Sequence, residues 1–200
     1  MRRIVMFNQV TADGFFASDD GNLDWVVPEP ELDREASKSL SGSDTILFGR
    51  RTYEMFAAFW PNAVDAAGMA LDPHAPEQAS PEIGAIAVWM NETPKLVFSR
   101  TLGETTWSNS RVVRELDPRE IEAMKRGPGK DMILFGSGSI VSRLTEHGLI
   151  DEYQFLVCPV LLGTGRSLLG DVANRSKLDL LESKAYPSGN VKLRYALAND

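Results

Sequence analysis

The sequence has few of the residues that build disulfide frameworks or metal centres. Its 200 residues include one cysteine, Cys158, and two histidines, His74 and His147, that are far apart in the chain. A single cysteine excludes an intramolecular disulfide, and two separated histidines do not make a metal site. We therefore expect no metal, and we expect Cys158, which lies in an apolar strand-like segment, to pack in the core.

Long hydrophobic runs and long basic runs are absent as well. No segment approaches the roughly 20 apolar residues of a membrane-spanning helix, and residues 1–8 contain no run of signal-peptide length. The net charge is −7, from 21 Lys and Arg against 28 Asp and Glu. This balance argues against a nucleic-acid or anionic-membrane partner. We expect a cytoplasmic protein that acts on a small-molecule substrate.

What the chain does contain is the composition of one ordinary globular domain. Hydrophobic residues make up 43% of it and charged residues 24%. Its length suits one sizeable core and is short for two. We therefore expect a single domain over residues 1–200, with a weakly patterned surface insertion near residues 62–77 that would suit a lid.

Short apolar runs alternate with helical patterns along the chain. Strands are predicted at residues 3–10, 46–48, 95–98, 132–135, 151–162, 177–181 and 190–198, with weaker candidates at 105–107 and 111–113. Helical patterns occupy residues 31–40 and 53–60 and begin again near residues 80, 117 and 139. This alternation predicts an α/β fold with a mostly parallel sheet. The two adjacent C-terminal strands predict an antiparallel edge.

The strand–turn–helix unit at residues 45–60 is the most informative stretch. Its strand ends at Gly49, and apolar side chains at helical spacing then continue until Pro61. Arg50, Arg51 and Thr52 would therefore begin a helix, where unpaired N–H groups and the helix dipole attract anions. We interpret this turn as a phosphate site; the alternative is that both arginines are simply solvated.

Three predicted strand ends carry glycine, hydroxyl or arginine residues of this kind. They are Gly49, Arg50, Arg51 and Thr52; Ser99, Arg100 and Thr101; and Gly136, Ser137, Gly138 and Ser139. The carboxyl ends of parallel strands lie along one edge of a sheet, where open α/β proteins bind their ligands. Glycines let phosphates approach the backbone, and hydroxyls and arginines bind the oxygens. Together the three segments predict a dinucleotide site.

Further motifs complete the set. In chain order it comprises Asp13-Gly14, residues 49–54, residues 99–102, residues 136–138, Asp151-Glu152, and residues 159–165, which read Pro-Val-Leu-Leu-Gly-Thr-Gly. This order resembles the dihydrofolate reductase superfamily and, within it, the reductase domain of riboflavin biosynthesis, the C-terminal half of a bifunctional deaminase/reductase. The resemblance spans nearly the whole chain except the insertion. The zinc-binding deaminase half is absent, so the chain resembles a stand-alone reductase domain.

The resemblance implies a dihydrofolate reductase-like sheet of about eight strands with flanking helices. It also implies NADPH along the strand ends and a homodimer formed through the C-terminal strands. Implied cofactor contacts are Val10 and Thr11 at the nicotinamide, Gly49, Arg50, Arg51 and Thr52 at the phosphates, Ser99, Arg100 and Thr101 near the adenosine 2′-phosphate, and Gly136, Ser137, Gly138 and Ser139 around the pyrophosphate.

Two acids are candidates for the catalytic proton source. In dihydrofolate reductases an acid on the first helix assists protonation, and Asp33 lies on the first predicted helix here. Asp13, beside the implied nicotinamide site, is the rival. Each has a structural alternative, because Asp33 suits a solvated first-turn acid and Asp13 suits an Asp-Gly turn.

Three residues are candidates for the substrate site. Gly14 would border the substrate, and Trp25 could shape its pocket or simply join the core. Arg166 could bind a substrate phosphate, although residues 163–167 equally suit a tight turn. The assignment of Gly14 is what the resemblance implies, whereas those of Trp25 and Arg166 rest on residue type and on the glycine-rich loop at residues 163–167.

The resemblance implies a reductase that converts the ribose of 5-amino-6-(5-phosphoribosylamino)uracil to the ribityl form. An enzyme of the same fold could instead reduce a pterin or another small carbonyl or imine. A dimeric nucleotide-binding protein without turnover is the non-enzymatic alternative, since fold alone does not fix function.

Overall fold

The computed structural model describes residues 1–64, 69–170, 172–173 and 175–198. In these ranges the chain forms, in order, β1 (Ile4–Thr11), β2 (Phe15–Ala17), α1 (Pro30–Ser39), β3 (Ser43–Gly49), α2 (Arg50–Phe59), β4 (Ala70–Asp72), β5 (Ala75–Ser80), α3 (Pro81–Glu92), β6 (Lys95–Phe98), β7 (Ser110–Val113), α4 (Pro118–Arg126), β8 (Asp131–Phe135), α5 (Gly138–Glu146), β9 (Glu152–Cys158), β10 (Arg166–Ser167), β11 (Leu178–Ala185) and β12 (Val191–Leu197). None of the helices in these ranges is long and apolar enough to cross a bilayer.

Eight strands form the central sheet, in the order β11-β12-β9-β1-β8-β3-β6-β7. The six strands from β9 to β7 are parallel, whereas β12 is antiparallel to both of its neighbours, β9 and β11. The predicted α/β fold is confirmed: a mostly parallel sheet of eight strands with an antiparallel C-terminal edge and flanking helices.

Helices cover both faces of this sheet. In β3, Leu47 packs on the face covered by α4 and α5, and its neighbours Ile46 and Phe48 pack on the face covered by α2 and α3. Successive strand side chains point to opposite faces, so both must be apolar when both faces are covered. This explains why the central strands read as short continuous apolar runs.

The two strands at the centre of the site are β3 and β8, which pair directly. The helices that follow them diverge, because α2 packs on one face of the sheet and α5 on the other. A crevice therefore opens between the carboxyl ends of these strands. The point where the helices after two neighbouring strands diverge to opposite faces is the usual ligand position in open α/β sheets.

Some sequence predictions differ from the structure. Residues 105–107 do not form a strand; Trp107 is buried there and donates its backbone N–H to the Tyr53 hydroxyl at 3.0 Å. The strand predicted at 151–162 ends at Cys158. Within the predicted insertion, residues 65–68 lie outside the described residues, and β4 and β5 pair as an antiparallel hairpin.

Candidate functional site

A cleft of about 910 Å³ opens at the carboxyl edge of the sheet between β3 and β8. This volume is in the usual range for small-molecule and cofactor sites. Polar lining comes from residues 49–52 and 136–139, and aromatic lining comes from Phe7, Phe16, Phe56, Phe98 and Phe135. The cleft thus combines two backbone turns with an apolar wall.

Two helices begin at the cleft without a side-chain cap on their first turns. Helix α2 starts after Gly49 and α5 starts after Ser137, and in neither does a side chain cap the helix. The other three helices of the described chain have both a side-chain cap and an early proline, the caps being Glu29, Ser80 and Asp117. First-turn N–H groups of α2 and α5 therefore remain available to a ligand anion.

Glycines allow the two turns to pack against each other. A Cβ on Gly49 would lie 2.8 Å from the Ser137 hydroxyl oxygen, and one on Gly136 would lie 2.8 Å from the Thr52 hydroxyl oxygen. Gly136 also has a φ of 55°, a left-handed conformation that favours glycine. The structure thus assigns these glycines to the contact between turns, whereas the sequence suggested only an approach of phosphate.

The Ser137 side chain links the two turns, which are far apart in the sequence, through hydrogen bonds. Its Oγ accepts a hydrogen bond from the Gly49 N–H at 2.7 Å and donates to Thr52 Oγ1 at 2.8 Å. Ser137 does this from a left-handed backbone with a φ of 64°, which is uncommon for a residue with a side chain. Strain of this kind persists where the surroundings hold it in place, as they do here.

Three arginines give the cleft its positive charge. Arg50 lies 3.5 Å from Glu54 in an exposed ion pair, and Arg51 has no ion-pair partner in the described part of the chain. Arg166 donates from Nη2 to the Asp19 carbonyl at 2.7 Å. The acids of the lining, Asp20 and Glu54, are exposed.

The structure brings only some of the predicted site residues into the cleft. Those that line it are Gly49, Arg50, Arg51, Thr52, Gly136, Ser137, Gly138, Ser139 and Arg166. Those that do not line it are Val10, Thr11, Asp13, Gly14, Trp25, Asp33, Ser99, Arg100 and Thr101. The turns after β3 and β8 therefore form the phosphate-binding part of the predicted site, whereas β6 contributes only its last residue, Phe98, and the turn after it contributes none.

Asp13 holds a turn together. Its carboxylate accepts hydrogen bonds from Thr11 Oγ1 at 2.6 Å, from the Leu162 N–H at 3.0 Å and from the Gly163 N–H at 2.7 Å. The Thr11 hydroxyl and the backbone donors lower the pKa of Asp13 below its usual value. A carboxylate held in its charged form by three donors is poorly suited to supply a proton.

Asp33 lies on α1, away from the cleft lining. Burial, together with the negative charges of Asp72, Glu29 and Glu82, raises the pKa of Asp33 to about 7. A raised pKa is typical of a catalytic acid, but crowding of acids produces it as well. The three acids that raise the pKa of Asp33 do not line the cleft.

The turn after β6 is stabilised by hydrogen bonds among its own residues. Ser99 Oγ accepts from the N–H groups of Thr101 at 3.2 Å and Leu102 at 2.9 Å. The Arg100 side chain is 74% exposed and lies 3.9 Å from Glu115. Because Phe98, the preceding residue, lines the cleft, this turn borders it without entering it.

Trp25 belongs to a separate small core. It is buried with Val26 and Cys158, and the burial raises the pKa of the Cys158 thiol. The prediction that Cys158 packs in the core is confirmed. For Trp25 the structure favours the core alternative over a place in the substrate pocket.

Sequence reasoning missed part of the cleft lining. The missed residues include Phe7, Asn8, Gln9, Phe16, Met55 and Leu168. One signal was available, because Asn8 and Gln9 are two consecutive amides in an otherwise apolar strand. In the described ranges no group of three His, Cys, Asp or Glu side chains could hold a metal ion.

Comparison with known families identifies the architecture. The model of the RibD C-terminal domain family matches residues 2–192. The chain belongs to this family. Among curated proteins, this RibD C-terminal domain chain is 29% identical over 194 residues to the uncharacterized protein YyaP of Bacillus subtilis, covering 97% of this chain and 94% of YyaP.

Solved structures share the fold. A provisionally named riboflavin biosynthesis protein from Shewanella sp. PV-4 superposes with a TM-score of 0.72 at 21% identity, with 98% of this chain and 99% of that chain covered. The Thermotoga maritima diaminohydroxyphosphoribosylaminopyrimidine deaminase/5-amino-6-(5-phosphoribosylamino)uracil reductase gives a TM-score of 0.64 at 13% identity, over 98% of this chain and 57% of that one. This chain therefore shares the fold of these proteins, and it spans little more than half of the Thermotoga maritima protein.

Proposed function

We propose that the protein is an NADPH-dependent reductase. The observation that carries this proposal is the pair of uncapped helix N-termini, α2 and α5, that meet at one cleft and are tied together by Ser137. Two such termini provide N–H donors and positive helix dipoles for a diphosphate. Membership of the RibD C-terminal domain family supports a reductase over an unrelated nucleotide-binding role.

The residues of the cleft fit this cofactor. First-turn N–H groups of α2 and α5 would hold the diphosphate, and Arg50 and Arg51 would neutralise its charge. Phe7 and Phe135, whose rings lie edge to face 6.2 Å apart, would exclude water from the reacting ring. The cofactor supplies the hydride, and the protein supplies binding and orientation.

The adenosine end of the proposal involves the turn after β6. Phe98 lies in the cleft wall, and Arg100 follows it by two residues. A 2′-phosphate bound beside Phe98 would therefore lie next to the turn that carries Arg100. We assign Arg100 to that phosphate, which makes NADPH the preferred cofactor over NADH. Ser99 and Thr101 would shape the turn around it.

The proposed substrate is 5-amino-6-(5-phosphoribosylamino)uracil, the compound in the name of the Thermotoga maritima relative. Arg166 Nε and Nη2 donate to the Asp19 carbonyl, which leaves Nη1 for a substrate phosphate. The apolar wall of the cleft equally suits a pterin or another small carbonyl or imine. Turnover assays with the phosphoribosylamino compound and with dihydrofolate separate these substrates.

The proposal extends to a homodimer in the cytoplasm. Strand β11 is an edge of the sheet, and it exposes Leu180 and Leu181 by 57% and 52%. An exposed apolar edge strand is a liability unless it is covered, and a second copy of the chain would cover it. The single buried cysteine suits a reducing compartment.

A thermal-shift assay with NADPH tests the proposed function. A ligand that binds only the folded state raises the melting temperature by mass action, so NADPH should do so. Arg50→Ala should reduce the shift. Arg126→Ala is the matched control, because Arg126 also forms an exposed pair on its helix, 3.4 Å from Glu122. Absence of any shift in the wild-type protein contradicts the proposal.

A further inference from the structure

The floor of the cleft contains a buried amide, Asn8. It lies on β1 between β8 and β9, lines the cleft, and is 5% exposed. Its strand neighbours two residues away are Met6, which is fully buried, and Val10, which is 9% exposed. A polar side chain therefore stands where the pattern of the strand calls for an apolar one.

This amide is poorly paired within the protein. Asn8 Nδ2 donates to the Met6 thioether sulfur at 3.0 Å, and in the described chain Oδ1 accepts no hydrogen bond. A thioether is a weak acceptor. Because Oδ1 has no partner in the described chain and Asn8 lines the cleft, this acceptor is available to a ligand.

The surroundings of Asn8 favour a neutral partner. Leu168, Phe16 and the buried Ser142 line the same cleft, and Ser142 Oγ already donates to the Leu168 carbonyl at 3.3 Å. The charged groups of the lining are exposed or half-buried, being Asp20, Arg50, Arg51, Glu54 and Arg166. A charged ligand group would therefore stay near those side chains and away from the floor.

We propose that Asn8 binds the amide edge of a ligand ring, a carbonyl beside an N–H. The asparagine side chain offers one acceptor and two donors, and it pairs with such an edge through two hydrogen bonds. Two ligands carry this chemistry: the carboxamide of the nicotinamide, and a ring lactam of a heterocyclic substrate. The inference rests on the proposed function in taking this cleft as the site of the reaction.

Fragments test the inference separately from the cofactor. With ¹⁵N-labelled protein, the side-chain NH₂ resonances of Asn8 are followed while nicotinamide or uracil is added, each at millimolar concentration. Pyridine and 1,3-dimethyluracil are the matched controls, because they lack the carboxamide and the ring N–H. We expect nicotinamide, uracil or both to move these resonances and the controls to leave them in place. The fragment that moves them identifies the source of the amide edge.

A substitution separates recognition from structure. Asn8→Leu is close in volume and removes an amide whose partner in the protein is the Met6 thioether, a weak acceptor, so the melting temperature should stay the same or rise. Affinity for the active fragment should fall at least tenfold. Asn62→Leu, at an exposed asparagine outside the cleft lining, should leave both quantities unchanged.

Two results overturn the inference. One is that neither fragment moves the Asn8 resonances beyond its control; the other is that Asn8→Leu lowers the melting temperature and keeps fragment affinity. Either can occur while NADPH still stabilises the wild-type protein, in which case the proposed function survives. Fragment binding through Asn8 without any NADPH binding would instead leave the inference standing and remove the proposed cofactor.

Discussion

The hydroxyl groups of Ser137 and Thr52 are 2.8 Å apart although 85 residues separate them in the chain. Thr52 belongs to the first turn of α2, and Ser137 immediately precedes α5. The bond holds together two turns whose helices, α2 and α5, pack on opposite faces of the sheet. It therefore sets the width of the gap in which we place the diphosphate.

Replacing Ser137 tests this bond. Ser137→Ala removes the hydroxyl and keeps a side chain in a left-handed backbone, whereas Ser137→Gly removes the hydroxyl and relieves that strain. We expect the alanine variant to be less stable than the glycine variant by about 1 kcal/mol in urea denaturation. Both should bind NADPH severalfold more weakly, because each lost hydrogen bond contributes about 1 kcal/mol. An alanine variant with wild-type stability and affinity would contradict this role.

Arg100 should set the preference between the two nicotinamide cofactors. Arg100→Ala removes a charge that only the 2′-phosphate of NADPH would contact, so NADPH affinity should fall by about fivefold to tenfold, as for one exposed charge-assisted contact. NADH affinity should not change. Calorimetric titration of both cofactors measures the difference, and Arg119→Ala on α4 is an exposed control. Equal losses for both cofactors would remove the assignment.

Asp33 should affect stability and not catalysis. Its pKa is about 7 in the folded protein and ordinary in the unfolded chain, so the folded state holds a proton more tightly and loses stability as pH rises from about 4 to 7. Asp33→Asn cannot lose this proton. At pH 8 it should exceed the wild type in stability by on the order of 2 kcal/mol, and at pH 4 the two should converge.

Urea denaturation at both pH values, with Asp24→Asn as an exposed control, measures the Asp33 effect. Turnover with NADPH should be the same in Asp33→Asn as in the wild type, because Asp33 does not line the cleft. A large loss of turnover would restore Asp33 as the catalytic acid suggested by the sequence.

Charge on the edge strand should disrupt the dimer. We expect the wild-type protein to elute in size-exclusion chromatography at twice the mass of its 22.1 kDa chain. Leu180→Glu with Leu181→Glu should produce the monomer, because like charges would then face each other along β11. Leu161→Glu is the control, since Leu161 is 76% exposed and lies outside that strand. A wild-type monomer would exclude the proposed assembly.

The sheet and the turns after β3 and β8 were predictable from sequence for a local reason. A strand covered on both faces needs consecutive apolar residues, as in Ile46, Leu47 and Phe48, and the helix after it shows apolar residues at helical spacing. These signals lie within a few neighbouring residues. The parallel sheet then places the carboxyl ends of its strands at one edge, so the cleft followed.

Other features depend on contacts that the sequence does not encode locally. Asp13 binds the Leu162 N–H group, 149 residues away, and nothing in the Asp-Gly pair indicates this partner. Lys95 is 1% exposed because its Nζ donates to the carbonyls of Met90 at 2.6 Å and Thr93 at 2.8 Å. Backbone carbonyls are present at every residue, so composition cannot reveal such pairing.

The most direct test of the central claim is a crystal structure of the protein soaked with NADPH. We expect the diphosphate between the first turns of α2 and α5, within hydrogen-bonding distance of their N–H groups, and the nicotinamide against the apolar wall that includes Phe7. A diphosphate bound anywhere else on the molecule, or a cleft that stays empty at saturating NADPH, would contradict it.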